Sequence, residues 1–199
     1  TLTVVATDAL GATDTDAVAI TVTAVNDVPV NTAPGAQMVA EDTALVFSGA
    51  ATISVADVDG NLASTRLTVT NGTLAVSLTG GATISAGANN SATLTLAGTQ
   101  TQINAALATL VYQGKLDYNG SDTLTVVSTD GATPALTDAD AVAITVTVVS
   151  DPPVIAASYV SGNMISLRGT SEPLALIRIY ADSVDMTSAR ASADGSWAT

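Results

Sequence analysis

Two phrases of this chain occur twice, and both copies alternate apolar and polar residues with a period of two. Residues 1–8 read TLTVVATD and residues 123–130 read TLTVVSTD; residues 13–30 read TDTDAVAITVTAVNDVPV and residues 137–154 read TDADAVAITVTVVSDPPV. The copies differ in spacing only by a two-residue insertion in the intervening turn. Self-similarity at a fixed period marks an array of structural units. Within the first copy Leu2, Val4 and Ala6 alternate with Thr3, Val5 and Thr7, and Val18, Ile20 and Val22 with Ala19, Thr21 and Thr23. A strand sends successive side chains to opposite faces, so this pattern calls for half-buried antiparallel strands.

The same alternation returns at Leu67/Val69, Leu74/Val76/Leu78, Leu94/Leu96, Leu124/Val126 and Val142/Ile144/Val146/Val148. Turn residues separate these runs: Asn71-Gly72, Gly80-Gly81, Asn119-Gly120 and Asp130-Gly131. Many short strands with regular turns predict an all-β chain of antiparallel sandwiches. One segment departs from period two. Ile103, Ala106, Leu107 and Leu110 recur at helical spacing, which predicts a short amphipathic helix crossing one end of the sandwich, with Thr99 or Thr101 as its N-cap.

Proline sets the boundaries, because it cannot continue a ladder. Val25-Asn26-Asp27-Val28-Pro29-Val30 and Val149-Ser150-Asp151-Pro152-Pro153-Val154 each close a strand. Residues 1–27 are therefore expected to be the last two strands of a preceding unit, residues 28–150 a complete unit, and residues 151–199 a third unit of different character.

Charge and composition exclude several functions. With 18 Asp and Glu against 5 Lys and Arg, no His and a net charge of −13, the chain repels nucleic-acid backbones and anionic membranes. No Cys is present, which removes disulfides, thiolate chemistry and zinc-finger sites. Without His or Cys there is no ordinary base, nucleophile or transition-metal ligand. One Phe, one Trp and four Tyr are too few and too dispersed for a sugar-stacking cleft around paired carboxylates. No enzyme is expected. No apolar run approaches the roughly 20 residues that span a bilayer, and Thr1 does not begin a signal peptide, so any export signal is expected elsewhere.

The stretch AGTQTQINAALATLVYQGKLDYNGSDTLTVVSTD, followed by TDADAVAITVTVVSDPPV, resembles the cadherin-like tandem repeats of very large bacterial surface adhesins of the RTX or biofilm type. Residues 155–199, with ISLRGTSEP, LALIRIYADS and ADGSW, resemble a bacterial Ig-like domain that stops before that family's last strands. The resemblance implies tandem cadherin-like and Ig-like sandwiches in an extracellular, nonenzymatic stalk or adhesin segment, often calcium-dependent.

In an Ig-like sandwich the first strand would lie near Gln37–Ala40, the second near Ala44–Phe47, and the last two at Thr123–Thr129 and Ala141–Val148. The acids then gather at two ends. At the leading end, Asn26 and Asp27 of the incoming linker would meet Asp57 and Asp59 of the ADVDG loop and Asp130, Asp138 and Asp140 of the final hairpin loop. At the trailing end, Glu41 and Asp42 would meet Asp117, Asn119, Asp122 and, from the outgoing linker, Asp151. Clustered carboxylates repel one another without a cation, and oxygen-only sites suit Ca²⁺, which takes about six to eight oxygens.

The resemblance implies the same assignment for some of these residues. Asp57-Val58-Asp59 looks like the family's DxD element, Glu41 like its first-strand glutamate and Asn26-Asp27 like part of its linker motif. The full linker pentapeptide is absent, Ser150 stands where the first linker has Asn26, and Asp117-Tyr118 lacks an acidic neighbour. The expected metal ligands are thus Asn26, Asp27, Glu41, Asp57, Asp59, Asp117, Asp122, Asp138, Asp140 and Asp151. An EF-hand is excluded, since Gly60 falls two positions early and Thr68 stands at the bidentate position. Asp182, Asp185 and Asp194 read as turn residues, and Trp197 as a core anchor.

The functional expectation is a calcium-stiffened stalk segment of a secreted bacterial adhesin, serving surface attachment or biofilm formation. Its partners would be the neighbouring domains of the same polypeptide, with host or matrix surfaces met through other domains. A glycan- or protein-binding module, and a filament subunit that assembles by strand exchange, are the competing readings.

Overall fold

The computed structural model describes residues 1–161 and 164–199. The chain opens with a hairpin, β1 (Leu2–Thr7) and β2 (Thr13–Val18). The central unit follows as β3 (Val30–Thr32), β4 (Gln37–Ala40), β5 (Ala44–Val46), β6 (Ser54–Ala56), β7 (Leu62–Thr68), β8 (Gly72–Ala75), β9 (Thr83–Gly87), β10 (Thr93–Ala97), helix α1 (Gln100–Leu107), β11 (Val111–Gly114), β12 (Gly120–Asp130) and β13 (Thr137–Thr147). The last unit holds β14 (Val154–Ser161), β15 (Met164–Thr170), β16 (Leu176–Ala181), β17 (Val184–Arg190) and β18 (Ser196–Ala198). Among the described residues the protein is all-β, with one α-helix and a single 3-10 turn at Gly49–Ala51.

In the central unit a six-stranded sheet, β4-β13-β12-β7-β10-β9, packs on a three-stranded sheet, β5-β11-β8, and β3 pairs with β6. Strand β4 joins β13 in parallel, with Val39 opposite Val146; the other pairings are antiparallel. Alternation explains the core between the layers. Leu67, Leu94, Leu96, Leu124, Val126 and Ile144 project inward from the larger sheet and meet Leu74 and Tyr112 of the smaller one, in one contiguous buried cluster. Each fully buried Leu contributes about 1.5–3 kcal/mol relative to exposure. The Thr residues that alternate with them face outward.

Helix α1 begins where its sequence directs. Thr99 Oγ1 accepts from the Gln102 amide at 3.3 Å, and Gln102 Oε1 accepts from the Thr99 amide at 2.8 Å, a reciprocal capping box. Ile103, Ala106 and Leu107 plug the end of the core. The helix also has a polar task that its apolar spacing does not reveal. Asn104 bonds both backbone groups of Val55 (2.9 and 2.8 Å), and Gln100 Oε1 accepts from the Asp57 amide at 2.8 Å. It therefore latches β6 and the loop that follows.

Two local expectations change. The final strands are longer than their apolar stretches, because Thr137, Asp138 and Asp140 extend the ladder opposite Thr129, Ser128 and Val126. Asp138 and Asp140 consequently lie in β13 rather than in a loop. Gly72, expected in a turn, starts β8; a Cβ there would sit 2.4 Å from Tyr112 Cε2 and 2.6 Å from the Gln113 carbonyl oxygen. Close packing, and not turn geometry, requires that glycine.

Among the described residues, the last unit has two small sheets, β14-β15-β18 and β16-β17. Trp197 is buried with Ile177 and Ala191, and its indole N–H donates to the Thr170 carbonyl at 3.1 Å. It serves as the anchor its setting in ADGSW suggests. Among the described residues, no sheet pairs strands across the linkers at 19–29 and 148–153.

Candidate functional site

At the leading end of the central sandwich the incoming linker docks on the loops. Asn26 Nδ2 donates to Asp130 Oδ2 at 2.7 Å, and Asn26 Oδ1 accepts from Asn61 Nδ2 at 2.8 Å. The Asp27 amide donates to Asp59 Oδ2 at 2.6 Å, and the Asp59 amide to Asp57 Oδ1 at 3.0 Å. Asp130 Oδ1 accepts from the amides of Leu136 and Ala132 (2.9 and 3.2 Å). The bond from Asn26 is the main cause that holds the Asp130 carboxyl below its ordinary range, with the two amides adding to it against burial.

One feature of this end is unsatisfied. Asp57 is buried, at 7% exposure, yet its Oδ2 has no hydrogen-bond partner, and neither does the buried Asn61 Oδ1. These are the two such side-chain atoms among the described residues. A buried oxygen without a donor carries its full desolvation cost, so the loop retains capacity for a cation.

The other leading-end expectations divide. Asp138 Oδ2 accepts from the Asn31 amide at 2.7 Å, so this carboxylate fastens β3 to the hairpin. Asp140 lies two residues further along β13, about 6–7 Å along the strand, opposite Val126. Among the described residues, no hydrogen bond joins it to the Asp57 loop.

At the trailing end, carboxylate oxygens of Asp42, Asp117 and Asp151 lie within 4.8 Å of one another. Three separate segments supply them: the turn after β4, the loop before β12 and the outgoing linker. Asp42 and Asp117 have φ of 58° and 54°, a left-handed conformation that Asp tolerates in tight turns. The Asp117 amide donates to Asp42 Oδ1 at 3.1 Å. Buried Glu41 receives the Val149 amide (2.6 Å) and Asn119 Nδ2 (3.2 Å), which fixes the linker to the sandwich.

From the last unit, Glu172 Oε1 accepts from the Asp151 amide at 2.7 Å. A cavity of about 470 Å³ opens here, lined by Asp42, Asp117, Asp151, Thr170, Ser171 and Glu172. Burial raises the Asp151 carboxyl above its ordinary range, and the charges of Glu172, Asp42, Asp117 and Glu41 push the same way.

Asp122 was expected in this cluster and has another role. Its Oδ1 accepts from the amides of Thr70 and Thr123, and its Oδ2 from the Asn71 amide and the Tyr112 hydroxyl, at 2.8–3.0 Å. With four donors it closes the turn before β8. The Tyr112 hydroxyl is pushed upward by burial and then by this carboxylate. In the last unit, Asp182 adopts a turn φ of 47° and Asp185 pairs with Arg178 at the surface at 3.3 Å. Asp194 is lowered to about 2, first by its bond from Ser192 and then by those from Ser196.

The sequence places Asp130 at the leading end and Asp42 at the trailing end without counting either among the expected ligands, and it places Asn61 and Glu172 at neither. The repeat held a signal for Asp130, since Asp8 occupies its place in the first copy. Nothing near Glu172 in sequence links it to Asp151.

Residues 45–135 match the family described as Protein GAMETE EXPRESSED 2 domain. The match runs from β5 to the turn after β12, less than half of the chain. No curated protein matches the chain. The family match corrects the resemblance drawn from sequence, because it falls on the helix and turn that carried the likeness to cadherin-like repeats of bacterial adhesins. The bacterial stalk, its biofilm role and its calcium-stiffened junctions are corrected with it. The bacterial part of the expected surface setting is corrected likewise.

Proposed function

We propose that this chain is a non-catalytic module of a secreted or surface-held polypeptide, and that it takes up calcium through carboxylates at the ends of its central sandwich. Its immediate partners are the neighbouring units of the same polypeptide. The likeness of residues 45–135 to the Gamete Expressed 2 domain supports a setting among proteins expressed in gametes.

One observation carries the calcium reading: the meeting of Asp42, Asp117 and Asp151 within 4.8 Å, with Glu172 and Glu41 raising the local negative charge. Such a group is self-repelling until a cation enters. Every donor is a hard oxygen, which favours Ca²⁺ over transition metals. At the opposite end the orphaned Asp57 Oδ2 fits the same ion. The non-catalytic reading rests on the absence of His and Cys and on carboxylates held by amides rather than poised beside a nucleophile.

Calorimetric titration of chelator-treated protein with CaCl₂ tests this. Binding is expected at about 10⁻⁴–10⁻³ M, the range of extracellular oxygen-ligand sites. The double variant Asp42→Asn, Asp117→Asn should lose the trailing-end event. Absence of binding heat together with an unchanged melting temperature at millimolar calcium sinks the reading.

A further inference from the structure

The hairpin β1–β2 repeats β12–β13 in register as well as in sequence. Leu2 lies opposite Val18, Val4 opposite Asp16, Ala6 opposite Asp14 and Thr7 opposite Thr13. At the corresponding places Leu124 lies opposite Val142, Val126 opposite Asp140, Ser128 opposite Asp138 and Thr129 opposite Thr137. The turns agree too: Asp8 Oδ1 accepts from the amides of Leu10 and Ala12 (2.8 and 2.9 Å), as Asp130 Oδ1 does from Ala132 and Leu136.

Cover is what separates the two hairpins. Leu124, Val126 and Val142 are 0–1% exposed, whereas Leu2, Val4 and Val18 are each 52% exposed. The outer edge of β12 is paired with β7 and that of β13 with β4, while among the described residues β1 and β2 pair only with each other. An apolar face with open edges is a docking surface, and here the second copy displays the complement that fits it.

We propose that β1–β2 is a closing hairpin whose partner is a sandwich scaffold with the strand pattern of residues 28–122. The scaffold pairs with β1 as β7 pairs with β12, and with β2 as β4 pairs with β13. The register follows from β7 and β12, where Thr125, Val126, Val127, Ser128 and Thr129 face Thr68, Leu67, Arg66, Thr65 and Ser64. Thr3, Val4, Val5, Ala6 and Thr7 take those places against the scaffold.

Ala6 marks the one polar departure in that stretch. Ser128 Oγ bonds Thr65 Oγ1 at 2.9 Å and also donates to Asn31; Ala6 offers no hydroxyl. A second copy of this chain is a poorer occupant, because its own residues 28–122 already hold β12–β13.

The test places residues 28–122 directly before Thr1 of the full chain, which restores the Asp122–Thr123 junction of the complete copy, and follows hydrogen exchange by mass spectrometry. Peptides over β1 and β2 should slow to the rates of β12 and β13 in the same molecule. Val4→Asp should return those peptides alone to fast exchange, and Ala6→Ser should slow them further by restoring the partner of Thr65. Unchanged fast exchange in β1–β2 of the extended chain overturns the proposal. So does an unextended chain that sediments as a dimer with β1–β2 already protected, since a second copy would then be the occupant.

Discussion

Each end of the central sandwich holds one carboxyl displaced from its ordinary range, and the two are displaced in opposite directions. At the leading end Asp130 is surrounded by donors and its carboxyl is lowered, chiefly by Asn26. At the trailing end Asp151 is raised, by burial and by four other acids. Both ends are rich in Asp, so composition does not distinguish them. The number of N–H groups turned toward each carboxylate does. The leading linker supplies a side-chain amide, Asn26, whereas its counterpart Ser150 supplies none; Asp130 accepts from three N–H groups, while Asp151 has carboxylate oxygens of Asp42 and Asp117 within 4.8 Å.

The largest effect is expected where an acid is structural. Asp122→Ala removes four hydrogen bonds at a buried carboxylate, leaves the Thr70 and Asn71 amides without partners and leaves the Tyr112 hydroxyl only the Asn71 carbonyl at 3.5 Å. Urea unfolding should show a loss of about 3 kcal/mol or more. A loss under 1 kcal/mol, on the order of one ordinary hydrogen bond, would put Asp122 back among the candidate ligands.

Calcium should come next. At about 100-fold excess over the dissociation constant, binding to the folded state adds about 2.7 kcal/mol. Asp57→Asn should leave chelated protein as stable or more so, because it neutralises a buried carboxylate with an unpartnered oxygen, while reducing the calcium response of the leading end. If Asp57→Asn weakens the metal-free protein instead, the orphaned oxygen has a structural partner in solution and the comparison loses one side.

Acid separates the ends by sign. The lowered pKa of Asp130 gives stability that is present above the ordinary carboxylate value of about 3.9 and is lost as pH falls through the lowered value. The raised pKa of Asp151 acts in reverse: its protonated form favours the joint below about 3.9, and that contribution is lost as pH rises through the raised value. NMR titration of side-chain carboxyl carbons should give midpoints on opposite sides of the ordinary value. Midpoints on the same side break the comparison.

The smallest effect belongs to the helix that supports the leading end. Thr99→Ala deletes the N-cap and should cost about 1 kcal/mol. Gln100→Ala should leave global stability nearly unchanged while speeding exchange of the Asp57 amide, which Gln100 holds at 2.8 Å.

By itself the sequence determined the class of the chain. Period-two alternation dictated strands, prolines set the linkers, and helical spacing after Thr99 dictated α1, because each of these is enforced by neighbours a few residues apart. It also placed the Asp57 loop and the Asn26-Asp27 linker at one end, and Asp42, Asp117 and Asp151 at the other. Which acid does what was decided only by tertiary contacts. Asn26 reaches Asp130 across 104 residues, Asn31 reaches Asp138 across 107, and Thr70 reaches Asp122 across 52. A carboxylate's role depends on the donors that surround it in space, and no local pattern encodes them. The same limit applies to the two hairpins: near-identical phrases are buried in one place and bare in the other, because burial belongs to the partner and not to the phrase.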